Sequence, residues 1–395
     1  MIGVMIKPMR RFASRRWTFS RPTVSAVSSV RCSLKTKQQL TQHASACATL
    51  CLDNMAIDSD VKDLLKRTSR SMYLSLTVLP EPVRDAMGLG YLFCRAADTI
   101  ADTRLVPLEN RRKTLEDFRS AFDGGLAMKA NLADGFAEHQ ADESERELLE
   151  RLSECIALWK RFPEQERALL KSVVEGVIDG MRMDLSIFKG DTLETLHAMA
   201  SAEDLDQYCS FIGGAPGRFW TDLCLLRLPE LANVDADALR EHGIRFGKGL
   251  QITNILRDVP KDLRIGRCYI PEPELATVGL KPEDLVNPAV VETLRSVVNR
   301  WLRWGLDHLE SGALYVQSVP GIRLRAAVAW PLLLSLKTLV MVAKSPDLLK
   351  PDTRVKVSRK HVYGLMAATP WTLSSNERFL KRYSETKAEL EAAIT

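Results

Sequence analysis

From Asp60 onward, apolar residues recur at spacings of three and four along nearly the whole chain, and strand-like alternation is scarce. The spacing predicts helices over 60–79 and 82–103, with Pro80 and Pro82 punctuating the chain between them. Further helices are expected at 108–122 and 145–161, with a Gly-containing loop over 123–144. Pro163 opens the next helix. Along it Leu169, Leu170, Val173, Val174, Val177, Ile178 and Met181 form a continuous stripe. Gly176 and Gly180 lie beside that stripe. Glycine weakens a helix interior relative to alanine, so the pair asks either for close helix packing or for room beside a bulky ligand, and the pattern leaves both open. Helices at about 203–226, 235–259, 282–316, 321–344 and 375–393 complete an all-α chain, read as a single domain over 55–395.

Composition changes this picture little. The chain has 395 residues, 46% hydrophobic and 27% charged, enough to bury a sizeable core. The net charge of +5 comes from residues 1–54, where nine Lys or Arg face a single acid, Asp53, and the rest of the chain balances at −3. Such a body offers no clustered basic face for nucleic acid. The Arg- and Ser-rich first 54 residues suit either an organelle-targeting segment or a leader ahead of a start at Met55. Eight scattered cysteines without metal spacing read as reduced thiols of a cytoplasmic protein. The apolar run 326–343 contains Pro331 and Lys337, falls short of an uninterrupted span, and reads as a buried or cavity-lining helix rather than a transmembrane one.

Candidate chemistry sits in two acid pairs. Asp98 and Asp102 are four apart, which places both carboxylates on one helix face, among Ala96, Ala97, Ile100 and Ala101. Like charges at that spacing repel unless a cation neutralises them. Asp258 and Asp262 repeat the spacing, with Asn254 one turn earlier, Gln251 further back, and Arg257, Lys261, Arg264 and Arg267 around them. Acids wrapped in guanidinium groups suit a diphosphate bridged to Mg²⁺ by hard oxygen ligands. Pro260, inside the second pair, is expected to kink or end the helix and loosen the turn carrying Asp262. Pro216, after Gly213 and Gly214, is expected to mark a helix break.

These residues resemble the squalene/phytoene synthase family, on its bacterial squalene-synthase side. The resemblance spans roughly 60–345 and is most specific from Arg245 to Pro271. It also takes in Ser69-Arg70-Ser71 with Tyr73, Gly180 to Leu185, and Tyr208-Cys209 leading to Gly213, Gly214 and Gly217. It implies an isoprenoid-synthase helical fold with a central cavity and head-to-head joining of two farnesyl diphosphates through presqualene diphosphate to squalene. Phytoene or dehydrosqualene synthesis, arrest at presqualene diphosphate, and a non-catalytic assembly role are the alternatives. Asp98, Asp102, Asn254, Asp258 and Asp262 would hold Mg²⁺, or Mn²⁺. Arg70, Ser71, Arg95, Gln251, Arg257 and Arg267 would bind diphosphate; Tyr73 and Tyr208, near the reacting carbons, and Arg95, on the diphosphate, would be the catalytic residues. NADPH would serve as reductant, and product release would involve peripheral membrane contact.

Overall fold

The computed structural model describes residues 57–69, 72–123, 133, 135–353 and 355–395; the 1–54 leader, Arg70 and Ser71 lie outside them. The expected helices are present with sharper boundaries. They run α1 Ser59–Ser69, α2 Met72–Val78, α3 Glu81–Asp102, α4 Leu108–Ser120, α5 Glu143–Glu150, α6 Leu152–Trp159 and α7 Glu164–Ile187. There follow α8 Ala202–Cys209, α9 Ala215–Arg227, α10 Ala236–Leu263, α11 Glu272–Ala276, α12 Val291–Ser318, α13 Ile322–Ala343, α14 Arg359–Thr372 and α15 Asn376–Ile394. The helix expected from 282 starts only at Val291, after two short 3₁₀ turns, and α14 had no counterpart in the periodicity.

Local chemistry sets these boundaries. Pro80 and Pro163 stand at the caps of α3 and α7, where a missing N–H is harmless. The Asp235 carboxylate accepts from the amides of Asp237 and Ala238 to start α10. One buried apolar cluster runs from Ile57 to Ile394. Among the described residues the strands are confined to a parallel two-residue pair, β1 His197–Ala198 and β2 Arg267–Cys268, registered His197 to Arg267.

α9 and α10 pack without side chains between them. A Cβ on Gly213 would run into the Gly247 carbonyl, and one on Gly217 into the Gly243 carbonyl, so the two backbones touch along a glycine seam. Where Pro216 was expected to mark a break, the chain passes through a π turn, Ser210–Gly214, and resumes helix with Pro216 in the first turn of α9. Gly176 and Gly180 resolve toward packing: they face Ala215 and Ile212.

Pro260 does not end α10. The helix continues to Leu263, because proline this near the end removes a single hydrogen bond. Asp262 therefore stays one turn past Asp258 on regular helix. Gly266, at φ +78°, then turns the chain into β2, where a side chain would meet Thr192. That turn delivers Arg267 back toward the acids.

α13 is long and apolar enough to cross a membrane, and 67% of its most apolar window is buried against other helices. Its Ala327, Val328 and Pro331 line a small apolar pocket with Trp220, Phe246 and Tyr315. The α7 stripe is buried as core and does not border this pocket. The five described cysteines are free and buried.

Candidate active site

Four separate stretches of chain bring charge to one place. α3 contributes Arg95, Asp98 and Asp102; α7 contributes Asp184; the C-terminal end of α10 contributes Asn254, Arg257, Asp258, Lys261 and Asp262; β2 and the residue after it contribute Arg267 and Tyr269. Arg267 joins them. Its buried guanidinium contacts Asp102 at 3.0 Å and Asp184 at 2.8 Å. The Lys261 charge acts on both Asp98 and Asp102, tying the second acid pair to the first.

Arginines lie beneath and acids at the rim. Arg95 donates to Asp98 at 3.0 Å and to Glu145 of α5 at 2.6 Å. Arg257 forms a bidentate pair with Asp258, at 2.9 and 2.5 Å. All three guanidinium groups are buried, whereas the side chains of Asp98, Asp102 and Asp258 are 25%, 48% and 33% exposed. The acids thus retain an open side, which an ion-paired core would not. Asn254 and Asp262 are half-buried on the same stretch of α10.

The carboxylates are not equivalent. Burial, then the like charge of Asp102, pushes Asp98 up to about 6. Burial pushes against Asp102 too, but Arg267 and Lys261 hold its carboxyl below the usual range. Burial and Asp258 push Asp262 up to about 8. Burial likewise raises Asp184, which accepts from the Tyr269 hydroxyl at 2.7 Å. Tyr208 stacks on Tyr269 with ring centroids 5.0 Å apart and hydroxyl oxygens 3.3 Å apart. Burial raises both phenols, so both stay protonated donors.

Of the residues expected from the sequence, Arg95, Asp98, Asp102, Tyr208, Arg257, Asp258, Asp262 and Arg267 are drawn into this charge network. Asn254 and Gln251 hold their expected places on α10, Gln251 buried. Tyr73 is half-buried on α2 beside Met72, which borders the apolar pocket, and among the described residues no hydrogen bond joins it to the acids. Asp184, Glu145 and Tyr269 were not anticipated as site residues. The available signal for Asp184 was an acid standing where the α7 stripe calls for another apolar side chain.

Residues 65–361, three quarters of the chain, match the squalene/phytoene synthase family. The chain belongs to that family. Within it, a squalene synthase of Gibberella zeae is 26% identical over 323 residues, 81% of this chain and 66% of that one. A squalene synthase of Schizosaccharomyces pombe is 25% identical, with 61% of its length covered, so the chain spans somewhat under two thirds of these fungal relatives. A presqualene diphosphate synthase of Rhodopseudomonas palustris is 31% identical over 238 residues, 60% of this chain and 71% of its own. Among solved family structures, a ligand complex of TcSQS superimposes with a TM-score of 0.66 at 23% identity, covering 86% of this chain and 99% of that one. The shared fold is the all-α squalene-synthase type.

Proposed function

We propose that this chain joins two farnesyl diphosphates head to head, forming presqualene diphosphate and, with NADPH as hydride donor, squalene. The observation that carries the reading is Arg267, a buried cation shared by Asp102 and Asp184 and set between two acid pairs that are otherwise about 160 residues apart in sequence. A diphosphate with divalent ions suits an opening rimmed by partly exposed acids over buried guanidinium groups.

The donor set fits magnesium or manganese. Asp98, Asp102, Asn254, Asp258 and Asp262 offer only hard oxygen ligands, and burial followed by a neighbouring carboxylate raises Asp98 and Asp262, a repulsion that a divalent cation would relieve. Among the described residues no three acids, histidines or cysteines already converge on one point. In this reading an ion would be held by one or two carboxylates and completed by substrate phosphates. When bound, such ions supply Lewis-acid stabilisation of the leaving diphosphate.

The chain's own groups do the rest. Arg95, Arg257 and Arg267 neutralise charge as the allylic carbon–oxygen bond breaks and its electron pair leaves with diphosphate. The double bond of the second prenyl chain then attacks the cation, and proton loss closes the cyclopropane. The Tyr208 and Tyr269 hydroxyls lie beside these charges as neutral donors. The apolar pocket reaches Phe246, twelve residues before Asp258, or about 18 Å along α10. In this reading its apolar lining would receive prenyl carbon and help keep water from the cation.

A second reading, release of presqualene diphosphate without reduction, is favoured by the higher identity to the presqualene diphosphate synthases, 31% against 26%. Incubating the protein with labelled farnesyl and geranylgeranyl diphosphates, with and without NADPH, separates the cases. Squalene only with NADPH supports the first reading, and presqualene diphosphate under both conditions the second. A forty-carbon product would make it a phytoene synthase. No product under any condition overturns the catalytic assignment.

A further inference from the structure

α14 turns an unusual face to solvent. Its inner side is fixed: Leu365, Thr369 and Thr372 are buried, and the Trp330 indole N–H of α13 donates to the Thr369 hydroxyl at 2.8 Å. The opposite stripe, Tyr363, Gly364, Ala367, Ala368 and Trp371, follows the helical spacing of three and four and is exposed throughout. Tyr363 is 58% exposed and Trp371 67%. From His361 to Asn376 there is no Lys, Arg, Asp or Glu at all. An ordinary surface helix puts its charges on this side and its apolar residues inside.

The ends of the stripe carry the opposite character. Residues 355–382 hold six basic side chains, Lys356, Arg359, Lys360, Arg378, Lys381 and Arg382, against one acid, Glu377. The chain beyond residue 54 is otherwise acidic on balance, so this concentration runs against the prevailing sign. The basic residues of α15 flank the same face: the Arg378 guanidinium lies 3.6 Å from the Trp371 ring centre, and the Arg382 charge reaches His361.

We propose that this face rests on an anionic lipid bilayer, with Tyr363 and Trp371 seated at headgroup depth and the flanking basic side chains on the lipid charges. Amphipathic rings with one apolar and one polar end favour that boundary, and clustered Lys and Arg add attraction to anionic headgroups. Charge complementarity decides the occupant. A second copy would bring two basic rims together across a twofold axis, and that repulsion disfavours self-association through this face. The proposal is independent of the prenyl-transfer reading, and its test measures no turnover.

The test is flotation of the full chain with vesicles of phosphatidylcholine alone and of phosphatidylcholine mixed with phosphatidylglycerol. The protein floats with the mixed vesicles, stays behind with the neutral ones, and is released in part by high salt. Tyr363→Ser/Trp371→Ser abolishes flotation, Lys360→Ser lowers partitioning about fivefold, and Leu226→Ser, an exposed apolar position on α9, leaves it unchanged. Thermal melts check folding; should the double variant be unfolded, Lys360→Ser alone decides. Failure of the wild type to float with anionic vesicles, or undiminished flotation of the folded face variants, overturns the proposal. So does light scattering that shows a dimer converted to monomer by the same substitutions.

Discussion

Replacing Arg267 with methionine keeps most of the apolar stem and removes the charge that joins the halves of the site. Asp184, 2% exposed, is then left with the neutral Tyr269 hydroxyl as its hydrogen-bond donor. Breaking a buried ion pair from one side costs about 3–5 kcal/mol. Asp102, 48% exposed, recovers water and adds little. Asp184 is already raised by burial and escapes part of the penalty by taking up a proton, so the expected loss at neutral pH is about 3 kcal/mol. The sign follows from linkage. With its folded value raised above the unfolded ~3.9, the carboxyl binds its proton more tightly in the folded state, so the destabilisation is absent below about pH 4 and grows as pH rises. Arg267→Met/Asp184→Asn removes the stranded charge while its amide oxygen still accepts from Tyr269, and stability returns to within about 1 kcal/mol of wild type. Urea unfolding followed by circular dichroism, at pH 5 and pH 8, compares wild type, both single variants and the double variant. A single Arg267→Met variant as stable as wild type at pH 8, or a double variant no more stable than that single one, refutes the reasoning.

Asp98→Asn is expected to lower turnover by at least about 10²-fold while helical content stays unchanged, since the carboxylate is on the rim and supports no fold contact beyond Arg95; retained activity in a product assay removes Asp98 from the metal role. Gly247→Ala forces a Cβ into the Gly213 carbonyl and lowers unfolding stability by about 1–3 kcal/mol. Gly364→Ala, facing open space in mid-helix, raises it by about 0.5–1 kcal/mol, and equal melting temperatures for the two variants would contradict the packing argument. His308 is buried with Nδ1 2.9 Å from the Trp304 carbonyl, and burial lowers its titration below the usual imidazole range. Its contribution to stability is therefore full above about pH 6.5 and lost as pH falls below it. His308→Gln flattens the decline in melting temperature between pH 7 and pH 5; an unchanged slope counts against this.

Helices α3, α7, α10, α12 and α13 were legible because each carries a long apolar stripe, and both acid pairs were legible because their spacing is local. Asp184 escaped because its partners, Arg267 and Tyr269, are more than eighty residues away, and no local pattern pairs them. Glu145 escaped for the same reason, meeting Arg95 across fifty residues. α14 escaped because its outer stripe is apolar and its inner face uses Thr369 and Thr372, which blurs the contrast that periodicity reads. Pro260 misled, because it removes a single donor and the packed helix carries on past it, whereas the interruption expected around Pro216 is present as the π turn that separates α8 from α9.

The backbone contact between α9 and α10 leaves no room for a larger residue along the glycine seam itself. With Gly213 against Gly247 and Gly217 against Gly243, the two helices can come no closer, and a side chain added at any of the four would force them apart. In the pocket beside that seam, Gly217 and Gly243 are therefore fixed in size, whereas Trp220, Phe246, Tyr315, Ala327, Val328 and Pro331 all carry side chains that can be exchanged. The glycine seam fixes the spacing of the two helices, and the side chains next to it fix the shape of the pocket.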